Sequence, residues 1–290
     1  MEAPAAARGI VIVATGAAKY IDLAARAAAS VRRAAPGLAI DLFTDAPRDL
    51  PVFDRIHLLE DPWFRSKIDG LLGSRFERTL YMDADMLALA DFSDIFDVLD
   101  RFDIALVQDW FRNSPLHHTF WRRELPPAFP QFNGGLIAIR RNAATTAFLK
   151  DWKAAVQATD TGRDQISLRE LLWESDLRIA TLPEEYNLLL ISDIGRWTTD
   201  FPAPRIIHSP NFHRDYERYA KAADPAAEIM GLRAAANLPL LIAADRGLAR
   251  RTGGTAVAPS SRDLLARRAR ILAGLPRAAF RRLKRRLGRG

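Results

Sequence analysis

The apolar residues fall into short β-branched runs separated by amphipathic stretches. Residues 9–14 (GIVIVA) are continuously apolar, as a strand buried on both faces requires. Thr15 and Gly16 break the run. Over 20–34, Ile21, Ala24, Ala28 and Val31 then recur near helical spacing, up to the stop signal Pro36-Gly37. Further strands are predicted at 38–43, 55–59 and 78–82, with a short helix at 66–72. This alternation of strand and helix predicts an α/β fold with a mostly parallel central sheet flanked by helices.

Past Asp83 the pattern changes. Strands are predicted at 103–107, 135–139, 178–182 and 205–208, and helices at 143–158 and 164–173. Residues 108–131 are irregular and rich in Pro, aromatic residues and Arg, and 215–237 read as partly helical. Small residues at 253–261 suggest a linker. The division expected is a main domain over 1–252, the linker 253–261 and a tail over 262–290. The tail sets Leu264, Leu265, Ile271, Leu272, Leu275, Phe280, Leu283 and Leu287 among arginines, which reads as basic amphipathic helix interrupted near Gly274 and Pro276.

Composition sharpens this. The chain has 290 residues, 49% of them hydrophobic, enough for one large domain with a sizeable core. It has no cysteine, which excludes disulfides, Cys-ligated zinc and Cys nucleophiles and fits a reducing compartment. The net charge is +7, but residues 261–290 alone carry 11 Lys/Arg and one acid, which leaves the first 260 residues at −3. The basicity belongs to the tail, which lacks the aromatic interleaving of nucleic-acid binders, so no specific nucleic-acid partner is expected. No signal-peptide pattern opens the chain, and no run approaches the roughly 20 apolar residues of a membrane span. The expected location is cytoplasmic.

Four motifs carry candidate chemistry. Asp83-Ala84-Asp85 follows the strand 78–82; in extended backbone its two carboxylates would share one side, as hard oxygen donors suited to Mn²⁺ or Mg²⁺. The alternative is a polar turn. Asn133-Gly134-Gly135 precedes the strand 136–139, where glycines permit close backbone approach to a ligand or simply form a turn. Asp164-Gln165 opens a helix, and Asp164 is also a natural N-cap. His208 leaves an apolar strand for a loop, where it can complete a metal site or serve structurally.

In this order the motifs resemble family 8 of the retaining GT-A glycosyltransferases, the group of glycogenin and the bacterial lipopolysaccharide galactosyltransferases. The resemblance covers about 9–215. It implies that Ala14, Thr15 and Tyr20 contact the nucleotide and that Lys67, Asn133, Gly134 and Gly135 line the donor. It further implies that Asp83, Asp85 and His208 ligate the metal, Asp83 also touching the donor. Asp164 and Gln165 would sit at the donor sugar as catalytic residues. A Leu-Pro-x-x-Tyr-Asn element stands at Leu182-Pro183-Glu184-Glu185-Tyr186-Asn187. Arg214 stands where the family has a diphosphate-binding Lys, Asn211 replaces a Gly, and Asp215-Tyr216 replaces Pro-Trp. A partial similarity to family 6 exists as well, but that family has Glu where this chain has Gln165.

The resemblance implies transfer of a hexose from a nucleotide sugar, a UDP-sugar by family habit, to a glycan or lipid-linked acceptor, as in bacterial surface polysaccharide synthesis. With no carboxylate nucleophile in view, attack on the leaving group's own face is the expected retaining route, and the segment 109–130 is expected on the acceptor side. Two other readings are a GT-A-fold binding protein without turnover and a metal-dependent nucleotidyltransferase or phosphohydrolase. The tail suits an anionic membrane surface on the cytoplasmic side, the alternative being a solvated tail.

Overall fold

The computed structural model describes residues 7–46, 48–158 and 162–273. In chain order the elements are β1 (Arg8–Ala14), α1 (Ala18–Ala34), β2 (Ala39–Thr44), β3 (Arg55–Leu58), α2 (Lys67–Gly73), β4 (Arg78–Met82), β5 (Met86–Ala88), α3 (Ile95–Val98) and β6 (Ile104–Gln108). There follow β7 (Phe132–Arg140), α4 (Ala143–Gln157), α5 (Asp164–Glu174), β8 (Ile179–Leu182), β9 (Ile206–His208), α6 (Asn211–Arg214), α7 (Tyr216–Ala220), α8 (Pro225–Ala244) and α9 (Arg246–Arg251).

Seven strands form one sheet in the order β3-β2-β1-β4-β7-β6-β8. The neighbours β1/β2, β1/β4, β2/β3 and β6/β8 are parallel, while β7 runs antiparallel to both β4 and β6. The sheet is therefore mixed at one strand and parallel elsewhere. Both faces are covered. Ile10, Ile12 and Ala14 point into the core under α1, against Ala24, Ala28 and Val31. Val11 points the other way, into a core with Phe148, Leu149 and Trp152 of α4 and Leu168 and Leu172 of α5. Double coverage is why GIVIVA is continuously apolar, and each such side chain contributes roughly 1.5–3 kcal/mol by burial.

A third core, including Leu188, Ile194, Ile207, Phe212, Met230 and Leu241, joins the 3₁₀ turns after β8 to α6–α8. It carries β9, which pairs with β5 as an antiparallel ribbon, Met86 opposite His208. The ribbon brings the segment after Asp85 and the segment ending at His208 to one place.

Three sequence expectations change here. The glycine pair is not a turn before a strand: β7 begins at Phe132 and runs straight through Gly134 and Gly135. Asp83–Asp85 is not extended backbone; it forms a tight turn between β4 and β5, closed by Met86 N–H donating to the Asp83 carbonyl at 3.2 Å. And one helix, α8, is long and apolar enough by length and composition to cross a membrane, although no uninterrupted apolar run of that length exists. It is kinked at Gly231 (φ 73°), and Met230, Ala234 and Leu241 are buried in the third core.

Residues 254–260 have no regular structure, and 261–273 are helical. Ser260 and Asp263 cap this helix reciprocally: Ser260 N–H donates to the Asp263 carboxylate at 2.8 Å and Asp263 N–H to Ser260 Oγ at 3.3 Å. Leu264, Leu265 and Leu272 are exposed, and Arg267 donates to the Gly195 carbonyl at 3.0 Å. The rest of the predicted amphipathic tail, 274–290, lies outside the described residues.

Candidate active site

The site lies where β4 and β7 lie side by side at the end of the sheet that faces β9. Asp83 is anchored through its backbone, its N–H donating to the Gly135 carbonyl at 2.8 Å. Its carboxylate accepts the Tyr81 hydroxyl, which burial keeps protonated by raising its pKa well above the ordinary tyrosine value. His208 Nε2 lies 3.3 Å from Asp85 Oδ1, and one ligand atom from each of Asp83, Asp85 and His208 falls within 4.8 Å of the others.

The hydrogen bonds decide which nitrogen of His208 carries the proton. Gly135 N–H can only donate, so the Asn133 atom 3.0 Å away is Oδ1. That oxygen also accepts from Asn187 Nδ2 at 3.0 Å. Asn187 therefore turns its own Oδ1 to His208 Nδ1, again 3.0 Å away, and Nδ1 must donate. The Nε2 lone pair is thus directed at a carboxylate, an arrangement that asks for a cation between them. Burial lowers the His208 pKa, but Asp85 outweighs it and the net shift is upward. Burial likewise raises the Asp83 pKa, and the Asp85 charge adds to the rise while Lys67 opposes it. Burial acts on Asp85 too, but His208 outweighs it and holds that carboxyl below its ordinary value. Two hard carboxylates and an imidazole with a free lone pair fit a divalent cation of the Mn²⁺ or Mg²⁺ kind.

A second cluster adjoins the first across the glycines. Lys67, at the start of α2, pairs with Asp164 and donates to the Gly134 carbonyl at 3.0 Å. Arg65 Nε lies 2.9 Å from the other Asp164 oxygen. Burial opposes the Asp164 charge, yet Lys67 and Arg65 outweigh it and hold its pKa low. Asp164 is the first residue of α5 rather than its cap. Its carboxylate pairs with two cations, one on α2 and one in the turn before it.

The glycines have a steric reason. A Cβ on Gly135 would stand 2.5 Å from His208 Cε1 and 2.9 Å from Asp83 Oδ2. A Cβ on Gly134 would stand 2.9 Å from Lys67 Nζ, 3.1 Å from Asp164 Oδ2 and 3.6 Å from Gln165 Cγ. The close approach is by side chains of the site over a bare stretch of strand.

The structure therefore brings together Lys67, Asp83, Asp85, Asn133, Gly134, Gly135, Asp164, Gln165 and His208. Ala14 is buried at the end of β1, and Gly16 N–H, next to Thr15, donates to Asp45 at 2.8 Å. Tyr20 stands with its ring centroid 6.4 Å from that of His213. Arg214 is exposed on α6 and has no ion pair among the described residues. Its neighbour His213 instead approaches the cluster, with Nε2 3.6 Å from Asp85 Oδ2. Sequence reasoning missed His213, Arg65, Tyr81 and Asn187 as site residues. Only Asn187 carried a signal, as the last residue of the Leu-Pro-x-x-Tyr-Asn element.

The sheet order, its single antiparallel strand and the Asp/Asp/His cluster at the sheet end define the GT-A fold. Residues 75–218, just under half of the chain, match the model of the nucleotide-diphospho-sugar transferase family. The apo form of the glycosyltransferase GlyE of Streptococcus pneumoniae TIGR4 is similar at 17% identity and a TM-score of 0.54, over 77% of this chain and 62% of that one. An active-site mutant of LgtC is similar at 14% identity and a TM-score of 0.51, over 77% and 93% of the two chains. The bifunctional glycosyltransferase WbbM is similar at 14% identity and a TM-score of 0.50, over 77% and 51%. This chain thus spans less than two thirds of GlyE, and at these identities the likeness is one of fold. No curated protein matches the sequence.

Asn187 gives a direct check on the cluster. Asn187→Ala is expected to weaken Mn²⁺ binding by roughly 10–100-fold, the usual cost of losing the group that orients a ligating histidine. Calorimetric titration of Mn²⁺ measures it; unchanged affinity would show that His208 needs no such support.

Proposed function

We propose that the protein is a metal-dependent family 8 glycosyltransferase that moves a hexose from a UDP-sugar, with retention, to a glycan or lipid-linked acceptor, in bacterial surface polysaccharide synthesis. The observation that carries the reading is the convergence of Asp83, Asp85 and His208 beside the Lys67–Asp164 pair, with only glycine backbone between them. A divalent cation on that donor set would offset the diphosphate's charge and stabilise the departing nucleoside diphosphate.

The protein's own groups do the rest. Asn187 holds the His208 tautomer, and Tyr81 holds one Asp83 oxygen. Lys67, already beside Gly134, supplies a fixed positive charge at the donor. Asp164 accepts the sugar's hydroxyls; with its charge offset by two cations it is a weak nucleophile, which favours attack by the acceptor on the leaving group's own face near Gln165. His213 Nε2 lies 3.6 Å from Asp85 Oδ2, whereas Arg214 makes no ion pair among the described residues, and His213 takes over the diphosphate side in this reading.

A thermal-shift panel of nucleotide sugars with and without Mn²⁺ tests the function. Stabilisation by a UDP-sugar is expected only with the metal, and turnover should release UDP with retained anomeric configuration by NMR. Release of UMP would indicate a nucleotidyltransferase or phosphohydrolase, and binding without turnover a non-catalytic relative; an inverted product would overturn the stereochemical claim.

The exposed leucines of the helix over 261–273, set among Arg262, Arg267, Arg268 and Arg270, support the further reading that the tail rests on an anionic membrane surface at the cytoplasmic face. Sedimentation with anionic vesicles should be lost when residues 262–290 are deleted; equal sedimentation would defeat it.

A further inference from the structure

The segment between β6 and β7 is anchored on α5, the helix that begins with Asp164 and Gln165. The Glu170 carboxylate, 1% exposed, accepts the backbone N–H groups of Trp121, of Arg122 at 2.9 Å and of Arg123 at 3.3 Å. Arg169 donates to the carbonyls of Phe129 at 2.6 Å and Pro126 at 3.0 Å. Held this way, the segment borders a half-open cavity of about 360 Å³ whose lining includes Arg112, His117, Phe120, Phe129, Gln131 and Arg169. That volume is within the range of small-molecule sites.

Two buried polar atoms on this cavity have no hydrogen-bond partner among the described residues. Gln131 is 5% exposed and its Oε1 accepts no hydrogen bond. The His117 side chain is 8% exposed; its Nδ1 is 2.9 Å from Ser114 Oγ, but its Nε2 is bonded to nothing, and the Asp109 carboxylate at 3.9 Å is beyond reach. Buried polar atoms are normally paired, so two on one cavity call for a ligand. Its chemistry can be read from them. Either end of the Gln131 amide, and either protonation of His117 Nε2, is satisfied by a hydroxyl, which both donates and accepts. The cavity's guanidinium groups are committed to carbonyls, Arg169 as above and Arg112 to Pro127 at 3.3 Å, which disfavours a site built for an anion. Phe129 and the half-exposed Phe120 offer apolar faces for ring C–H groups.

The position matches. Gln131 precedes Asn133 by two residues on the way into β7, and Arg169 lies one helical turn beyond Gln165 on the same face of α5. We propose that this cavity is a saccharide subsite that receives a hydroxylated sugar ring of the acceptor through Gln131 and His117. The assignment to the acceptor rests on the glycosyltransferase reading; the sugar-binding chemistry does not.

The test uses the full chain and a panel of methyl hexopyranosides, with binding read by saturation-transfer NMR titration in the absence of donor. At least one glycoside should bind the wild type, and Gln131→Leu and His117→Phe should each weaken it at least tenfold. Gln131 Oε1 has no partner among the described residues, so Gln131→Leu should fold with an unchanged or higher Tm, and the Mn²⁺-dependent thermal shift by UDP-sugar should persist in it. Glycosides that bind no variant and no wild type, or that bind all three alike, would overturn the proposal. If the UDP-sugar shift is absent from the wild type while glycosides bind and the variants lose them, the subsite stands and the transferase reading falls.

Discussion

Replacement of Asp85 by alanine is expected to lower sugar transfer by on the order of a thousandfold and to make what remains indifferent to Mn²⁺. Of the three converging groups, Asp85 has the closest relation to both histidines, 3.3 Å from His208 and 3.6 Å from His213. It is also the carboxyl that His208 holds ionised, whereas burial works against charge on Asp83. Removing it leaves one carboxylate and one imidazole, too small a donor set for a firm divalent site. Metal stabilisation of departing charge contributes several kcal/mol, and about 1.4 kcal/mol corresponds to a factor of ten. Chelation of the wild type should produce a loss of similar size, and chelation of Asp85→Ala little further. Wild-type activity that survives chelation, or a variant that still responds to Mn²⁺, would contradict a cation on this cluster. The fold should be unaffected, since Asp85 contributes to the chain's architecture through its carbonyl, which accepts Ser209 N–H at 3.1 Å.

The largest stability effect is expected away from the chemistry. Asp245 and Arg205 form an ion pair at 2.9 Å with side chains only 3% and 6% exposed. Asp245 also accepts the backbone N–H groups of Ala203 at 2.7 Å and Leu248 at 2.9 Å, the latter as the cap of α9. Asp245→Ala leaves a buried guanidinium without its counter-charge, which typically costs 3–5 kcal/mol, and removes a helix cap as well. For a chain of this size the Tm should fall by roughly 10 °C. Arg205 immediately precedes β9, so metal affinity should fall with it. The pH dependence follows from the same pair. Burial opposes the Asp245 charge, but Arg205 and the two amides outweigh it and the pKa is depressed. A depressed carboxyl contributes its stability fully above the unfolded-state value of about 3.9, and the contribution is lost as pH falls through the folded-state value. The Tm gap between wild type and variant should therefore be constant near neutrality and shrink below about pH 4. A gap of only a degree or two at pH 7 would mean that the pair is replaceable.

The strands at 78–82 and 55–59, the helices at 143–158 and 164–173 and the order of the motifs were legible because each rests on local periodicity or on residues adjacent in the chain. The direction of β7 was not. Nothing within Phe132–Arg140 distinguishes a parallel strand from an antiparallel one; its partners, β4 and β6, make that choice. The apolar length of α8 was missed because Glu228 and Arg233 interrupt the run that the kinked helix unites. The ion pairs of Asp164 were not legible because its cations, Arg65 and Lys67, lie nearly 100 residues earlier in the chain.

The sequence by itself determined the α/β class and singled out Asp83-Ala84-Asp85, the glycine pair, Asp164 and His208 as candidate chemistry-bearing positions. Residue type and period suffice for that. Only the tertiary structure decided that His213 rather than Arg214 faces Asp85, that Asn187 sets the His208 tautomer, and that Gly134 and Gly135 are bare to make room for Lys67 and His208. Each of these depends on which elements the β5/β9 ribbon and the β4/β7 pairing bring within a few ångströms of one another, and such contacts between distant segments leave no trace in the local pattern of either.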